Sequence, residues 1–410
     1  MKLLAQNKKE LDKYIDAKHD AQKSIVLRYK DALRFEDTDE QDLKFKQWLE
    51  KTSIKEGARV FHFLTHRGVE IHISDETTLM HTKTLKSIDG CVTIAKCRLK
   101  GYERVVFESG GNTGTALTEY GVRAGLETFC FLPEENINLL CSKIFKSDKA
   151  HLVVVKDPGL TKEAANLFVT SDKTLKHIPE TAWRYEAAMF RGLFILEEIL
   201  KSGNFDWIAQ TISAAFGPIG IFNVLGIFNK EIGGTPRFLG IQQEANCPMY
   251  KSWKSGGTHI EPTKINSTEE LLTKVMYDFK PHTYATFKDL IGVLKNTDGD
   301  LSTINHAEFK DFLDLKIEGK SILELLADKG IDITVIDGEV VEKTGLIALA
   351  GTLKAIESGK IPKGSKVLCC LTSGISQADG KSLPEYNISR LGETFDYIKM
   401  LSGSRSYDRS

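Results

Sequence analysis

FESGGNTGTAL, residues 107–117, joins a strand-like run to a helix-like run through two glycines, an asparagine and a threonine, with a third glycine to follow. Upstream, RVVFES reads as a strand; downstream, the apolar spacing predicts a helix near 113–124. Glycine lets a backbone approach a ligand closely, and the unpaired N–H groups at a helix start favour an anion. The loop therefore reads as an anion cradle at the C-terminal end of a strand, where open parallel sheets hold their ligands.

The same order repeats on both sides. VEIHISDE (69–76) alternates as a strand, and SIDGCVTIAKCRLK follows a polar loop as a helix with Gly101 as its stop. TFCFLP and HLVVV read as strands, 161–170 and YEAAMFRGLFILEEILKSG as helices. DWIAQTISA reads as a buried strand feeding FGPIGIFNVLGIFNKEIGG; RFLGIQQE continues the alternation, and TGLIALAGTLKAIESGK is a helix running into the strand SKVLCCLTSG. This alternation predicts an α/β fold with mostly parallel sheets covered by helices on both faces. Three loops fall after strands: SGGNTG (109–114), AFGPIG (215–220) and TSG (372–374).

Composition removes several function classes. Lys+Arg 55 against Asp+Glu 56 leaves a net charge of −1, so no whole-chain field favours nucleic acid or an anionic membrane. The lysines of residues 8–30 alternate with Asp and Glu as a solvated helical face. No apolar run is long enough for a membrane span. Seven cysteines include Cys369 and Cys370 but no CxxC spacing, which argues against a zinc ribbon or a disulfide framework and suits a cytoplasmic chain. The charged N-terminus MKLLAQNKKELDKY lacks the apolar core of a signal peptide. His62, His66 and His72 cluster without an HExxH pattern, and no metal is assigned. NTDGDLSTINHAEF has Thr297 and Gly299 where a calcium loop needs carboxylates, so it reads as a turn and an N-cap.

Lys86 in HTKTLKSIDG precedes a helix and follows a strand, and ESGGNTG comes after the next strand. This order resembles the fold type II pyridoxal-phosphate enzymes, whose motifs read like NPTGSFKDRG and SSGNTG. WRYEAAMFRGLFILEEI, DWIAQTISAAFGPIG and VVEKTGLIALAGTLKAIESGKIPKGSKVLCCLTSG extend the resemblance over about residues 57–380. Within the family the likeness is to threonine synthases and cysteate synthases, through GIQQEANCPMYKSW, PHTYAT and GIDITVIDGEVVEKTG.

The resemblance implies two three-layer α/β/α domains with pyridoxal 5'-phosphate in the cleft between them. The large domain is expected over 56–69 and 191–402 and a small mobile domain over 70–190. Outside the resemblance, residues 1–55, with apolar residues three or four apart, are expected as a helical extension packing on the large domain and 403–410 as a disordered tail. Lys86 is expected as the Schiff-base lysine and proton shuttle, with Lys83 as the other candidate. Asn112 is expected on the cofactor's ring oxygen, and Ser109, Gly110, Gly111 and Thr113 on the substrate carboxylate. Gly217, Ile219, Gly220 and Ile221 are expected to present N–H groups to the phosphate, and Thr372 or Ser373 to meet the pyridine nitrogen. A homodimer is implied as well.

Two departures stand out. The family's KDRG becomes KSIDG, and Pro218, which has no N–H, replaces a glycine of the phosphate loop. The favoured expectation is β-replacement on O-phosphoserine or a similar serine ester. The alternatives are threonine synthase-like γ-elimination and replacement, deamination of a hydroxy amino acid, and a non-catalytic binding protein on the same fold. Lys83, Arg184, Lys251 and Lys254 are candidates for contact with an anionic leaving group.

Overall fold

The structure is a computed structural model that describes residues 2–260, 267–276, 278, 280–378 and 384–407. Two sheets carry the fold. The larger has six strands in the spatial order Asp300–Ile304, Arg237–Gln243, Trp207–Thr211, Lys366–Leu371, Val69–Asp75 and Arg59–His66. Its neighbours run parallel except the last pair, which is antiparallel. The smaller has five parallel strands in the order Tyr386–Ile388, Ala150–Val155, Glu127–Pro133, Arg104–Glu108 and Leu175–His177. The α/β architecture expected from the alternation is therefore present.

Strands covered on both faces need apolar residues at successive positions. Val367, Leu368, Cys369, Cys370 and Leu371 are all fully buried, which explains the unbroken run in SKVLCCL. The covering helices approach closely through small residues. A Cβ on Gly220, in the helix Phe216–Leu225, would lie 2.4 Å from the Ala188 Cβ of the long helix Thr181–Ser202. A Cβ on Gly351, in the helix Thr344–Glu357, would lie 2.4 Å from Ile241 in the sheet.

The strand pairing departs from the expected boundaries at two places. Val69–Asp75, placed almost wholly in a 70–190 unit by the sequence reading, pairs into the large sheet, with Leu371 opposite Asp75. Tyr386–Ile388, placed in the large unit, instead forms the edge of the small sheet beside Ala150–Val155. Both pairings join segments far apart in the chain, which periodicity does not register.

Residues 1–55 contain the helices Lys8–Tyr14, Ile25–Tyr29 and Asp39–Thr52, with side-chain caps from Asn7, Ser24 and Thr38. Arg28 holds Glu197 of the long helix at 2.6 Å, and Glu36 meets Lys96 of the helix Lys86–Leu99 at 2.6 Å. Buried Glu56 accepts from Ser24 (2.8 Å), the Ile54 amide (2.7 Å) and Tyr120 (2.6 Å), the last from the helix Asn112–Arg123. The segment read as a turn and N-cap contains a capping box between Asn305 and Glu308 at the start of His306–Asp314. At the other end, the helix Glu393–Tyr407 runs through part of the expected 403–410 tail; residues 408–410 lie outside the described residues.

Candidate active site

Three adjacent parallel strands of the large sheet, Val69–Asp75, Lys366–Leu371 and Trp207–Thr211, end on the same side and lead to Lys86, Thr372 and the 212–215 turn. The small-sheet strand Arg104–Glu108 delivers the loop 109–111 to the same place. Together they line a cavity of about 250 Å3 that includes Lys86, Ser109, Gly110, Gly111, Asn112, Thr113, Gly217, Thr372 and Ser373. Residues from all three glycine-bearing loops thus meet at one cavity with Lys86 on its wall.

Lys86 is the first residue of its helix, and its Nζ lies 2.7 Å from Asp89 Oδ2, one turn along. Asp89 is the aspartate that KSIDG carries. Lys83, the other candidate, does not line the cavity and donates its Nζ to the Thr78 carbonyl at 3.0 Å.

The 109–114 loop is held by Ser109, whose Oγ accepts from the amides of Gly111 (3.0 Å) and Gly114 (2.7 Å). Gly111 has φ +146°, a conformation that L side chains rarely adopt. A Cβ on Gly110 would meet the Val275 carbonyl at 2.9 Å, so glycine is required there for space. The first turn of the following helix points its amides, including those of Asn112 and Thr113, at the cavity end. Asn112 Nδ2 donates to Glu342 Oε2 at 2.8 Å, while Glu342 Oε1 accepts from the Thr344 amide at 2.8 Å. Glu342 therefore joins the asparagine loop to the helix Thr344–Glu357, and the sequence reading missed it.

The phosphate loop differs from expectation. Its helix begins at Phe216, after Ala215 in the left-handed region (φ +59°), so the first-turn amides at the cavity belong to Phe216 and Gly217. Ile219, Gly220 and Ile221 do not line the cavity. The Ile219 amide donates back to the Ala215 carbonyl at 3.3 Å, and Gly220 and Ile221 lie inside the helix, where Gly220 serves packing. Of the four residues expected to present N–H groups there, Gly217 lines the cavity, together with Ser213, Ala214, Ala215 and Phe216. Ser213 Oγ, also on the cavity wall, donates to the Met276 carbonyl at 3.3 Å.

At the third loop, Ser373 Oγ is buried and has no hydrogen-bond partner among the described residues. A Cβ on Gly345 would strike the Ser373 carbonyl at 2.0 Å, so the helix Thr344–Glu357 seats directly against this turn. An unpartnered hydroxyl on the cavity wall is what the ring nitrogen of a pyridine would satisfy. With a lysine, a first-turn amide cradle and this hydroxyl around one space, the residues present fit pyridoxal phosphate.

The cavity also holds charges away from the lysine. Arg184 lines it, with its guanidinium 4.9 Å from the Phe216 ring centroid and 5.8 Å from that of Tyr284, and makes no ion pair among the described residues. Lys162 Nζ lies 4.2 Å from the Tyr284 centroid and 3.0 Å from Thr283 Oγ1. Glu108 faces His177 at 2.6 Å; burial raises its pKa, but the His177 hydrogen bond and charge outweigh it and the net shift is downward. Burial holds Asp278 above the usual carboxylate range. Of the other cations proposed for a leaving group, Lys251 and Lys254 lie off the cavity, and Lys254 pairs with Asp300 at 2.8 Å.

No protein-family model matches the chain. Among curated proteins it is 23% identical to a cysteate synthase of Methanosarcina mazei over 313 residues, 73% of this chain and 70% of that protein. It is 26% identical to a threonine synthase of Methanosarcina acetivorans over 303 residues, 71% of this chain and 67% of that protein. Among solved structures, O-ureido-L-serine synthase superposes with a TM-score of 0.56 at 14% identity, over 80% of this chain and 90% of that one. Threonine deaminase isoform 2 from Solanum lycopersicum gives 0.56 at 14% identity, over 83% and 91%. The chain thus has the fold of the fold type II pyridoxal-phosphate enzymes, and its sequence is similar to their cysteate and threonine synthases.

Proposed function

We propose that the chain is a pyridoxal-phosphate-dependent enzyme of elimination and replacement, acting by β-replacement on O-phosphoserine or a similar serine ester. The observation that carries the substrate class is Arg184, a cation on the cavity wall 4.9 and 5.8 Å from two aromatic ring centroids, in the same cavity as Lys86. Arg184 makes no ion pair at contact distance among the described residues and feels Asp278 only at longer range. A guanidinium offers an anionic substituent a planar fork of N–H donors, and no contact ion pair has to be broken first. The likeness to cysteate synthases and to O-ureido-L-serine synthase supports the same class.

Pyridoxal phosphate, when bound, supplies the electron sink that stabilises negative charge at the α-carbon of the amino acid. Lys86 would hold the cofactor and then carry the α-proton on its Nζ, with Asp89 at 2.7 Å orienting the amine. Ser109, which also holds the loop's shape, would take the substrate carboxylate with Gly110, Gly111 and Thr113, and Asn112 would meet the cofactor's ring oxygen. Ser373, a neutral hydroxyl, would meet the ring nitrogen without holding a proton on it, which favours elimination over transamination. Arg184 and Lys162 would bind the departing anionic group. Domain closure on the asparagine loop would exclude water from the site. The seven free cysteines, six of them buried, accord with a cytoplasmic enzyme, and the reading takes it as a homodimer.

The threonine synthase-like reading keeps weight through the 26% identity to such a synthase. The test is to add pyridoxal phosphate to purified protein and assay O-phosphoserine, O-phosphohomoserine, serine and threonine for leaving-group release. Preference for O-phosphoserine, lost in Arg184→Met, is the expected result. Preference for O-phosphohomoserine would replace β with γ chemistry. A colourless protein that takes up no added cofactor would favour the non-catalytic reading.

A further inference from the structure

Arg191 and Glu76 form a fully buried ion pair directly behind the phosphate turn. Arg191 is 1% exposed; its Nε and Nη2 bond the Glu76 carboxylate at 2.7 and 3.0 Å, and Nη2 also bonds Gln210 Oε1 at 2.7 Å. Nη1 is buried and without a hydrogen-bond partner among the described residues. A buried guanidinium N–H left unpaired is costly, so its retention implies an acceptor that completes it. Its position names that acceptor. A Cβ built on Gly217 would lie 2.5 Å from Nη1 and 2.8 Å from Gln210 Nε2, so Nη1 sits against the first turn of the ten-residue helix Phe216–Leu225. Gly217 and Gln210, which flank Nη1, line the cavity, and Arg191 itself stands behind them, off the cavity wall.

That turn lacks one donor, because Pro218 has no N–H and the Ile219 amide is already bonded to Ala215. We infer that Arg191 is a phosphate-site residue, whose Nη1 supplies the donor and the positive charge that Pro218 withholds. Glu76 and Gln210 hold Nε and Nη2, which leaves Nη1 as the guanidinium group that could bond an anion across the Gly217 turn, and a Cβ on Gly217 would press on it. The inference rests on the cofactor reading proposed above and adds to it the group that grips the phosphate end.

The test compares binding of pyridoxal phosphate with binding of pyridoxal, which lacks the phosphate, by absorbance and fluorescence titration of cofactor-free protein. The double variant Glu76→Gln/Arg191→Gln removes both buried charges together, so neither is stranded. Losing a charge-assisted hydrogen bond should weaken pyridoxal phosphate roughly 10- to 100-fold, with pyridoxal little changed; adding Pro218→Gly should recover part of the loss. Equal losses for both ligands, or none, overturn the inference while leaving the cofactor reading intact. Should the double variant not fold, Arg191→Lys decides by the same ratio: an unchanged preference for the phosphorylated ligand after Nη1 is removed refutes the role, and a reduced one supports it. Wild-type protein that binds neither ligand overturns the cofactor reading, and this inference with it.

Discussion

Replacing Glu342 should loosen the join between the asparagine loop and the large sheet, by an amount that the geometry bounds. One carboxylate oxygen accepts from Asn112 Nδ2 at 2.8 Å and the other from the Thr344 amide at the start of Thr344–Glu357 at 2.8 Å, and the residue is 5% exposed. A hydrogen bond to a buried charged group contributes about 1.5–3 kcal/mol, and loss of a side-chain acceptor at a helix start costs about 0.5–2 kcal/mol. Glu342→Ala should therefore destabilise by about 2–5 kcal/mol in urea unfolding, and Glu342→Gln, which keeps an acceptor, by less. A double-mutant cycle with Asn112→Ala isolates the shared bond and should give a coupling of about 1–2 kcal/mol. Faster proteolysis within 109–114 in both single variants should accompany it. A coupling within about 0.3 kcal/mol of zero would refute the claim that Glu342 fastens the loop.

Three other outcomes follow from particular contacts. Ser373→Ala should leave cofactor-free stability unchanged or raised, because its buried hydroxyl has no partner to lose, yet weaken pyridoxal-phosphate binding roughly 2- to 10-fold in titration. Gly217→Ala should destabilise by about 1–3 kcal/mol in thermal unfolding, since its Cβ would lie 2.5 Å from Arg191 Nη1, and should also slow cofactor uptake. His151 sits between Glu385 (2.6 Å) and Glu127 (3.2 Å); burial lowers its pKa, but the two hydrogen bonds win and raise it to about 9. A folded pKa above the unfolded value contributes stability that is complete below about pH 6.5 and lost as pH rises through 9. Wild type should lose up to about 3 kcal/mol across that window; His151→Gln should show a flatter profile there, and an identical slope would count against the pair of contacts.

Much of the cavity was legible because its residues lie in short segments that keep local order. Lys86 and the 109–114 loop announce themselves by glycine, asparagine and lysine at strand ends, and both line the cavity. The lie of the 213–217 turn was not legible, because Ala215, a residue with no preference for positive φ, adopts φ +59° and starts the helix at Phe216, so that Ile219, Gly220 and Ile221, matched through the family resemblance, fall off the cavity wall. Arg191 was hidden because its partner Glu76 is 115 residues away and its own segment reads as an ordinary amphipathic helix. Glu342 left a faint mark, an acidic residue just before a helix start in VVEKTG, but its bond to Asn112 spans 230 residues. The edge strand Tyr386–Ile388 is three residues long, too short for alternation to show.

The central claim concerns one amine. Reduction of the cofactor-loaded protein with borohydride, followed by proteolysis and mass spectrometry, should find the reduced pyridoxyl-phosphate mass on the peptide carrying Lys86, with no such adduct in Lys86→Ala. An adduct on Lys83, or unchanged labelling in Lys86→Ala, would contradict the account.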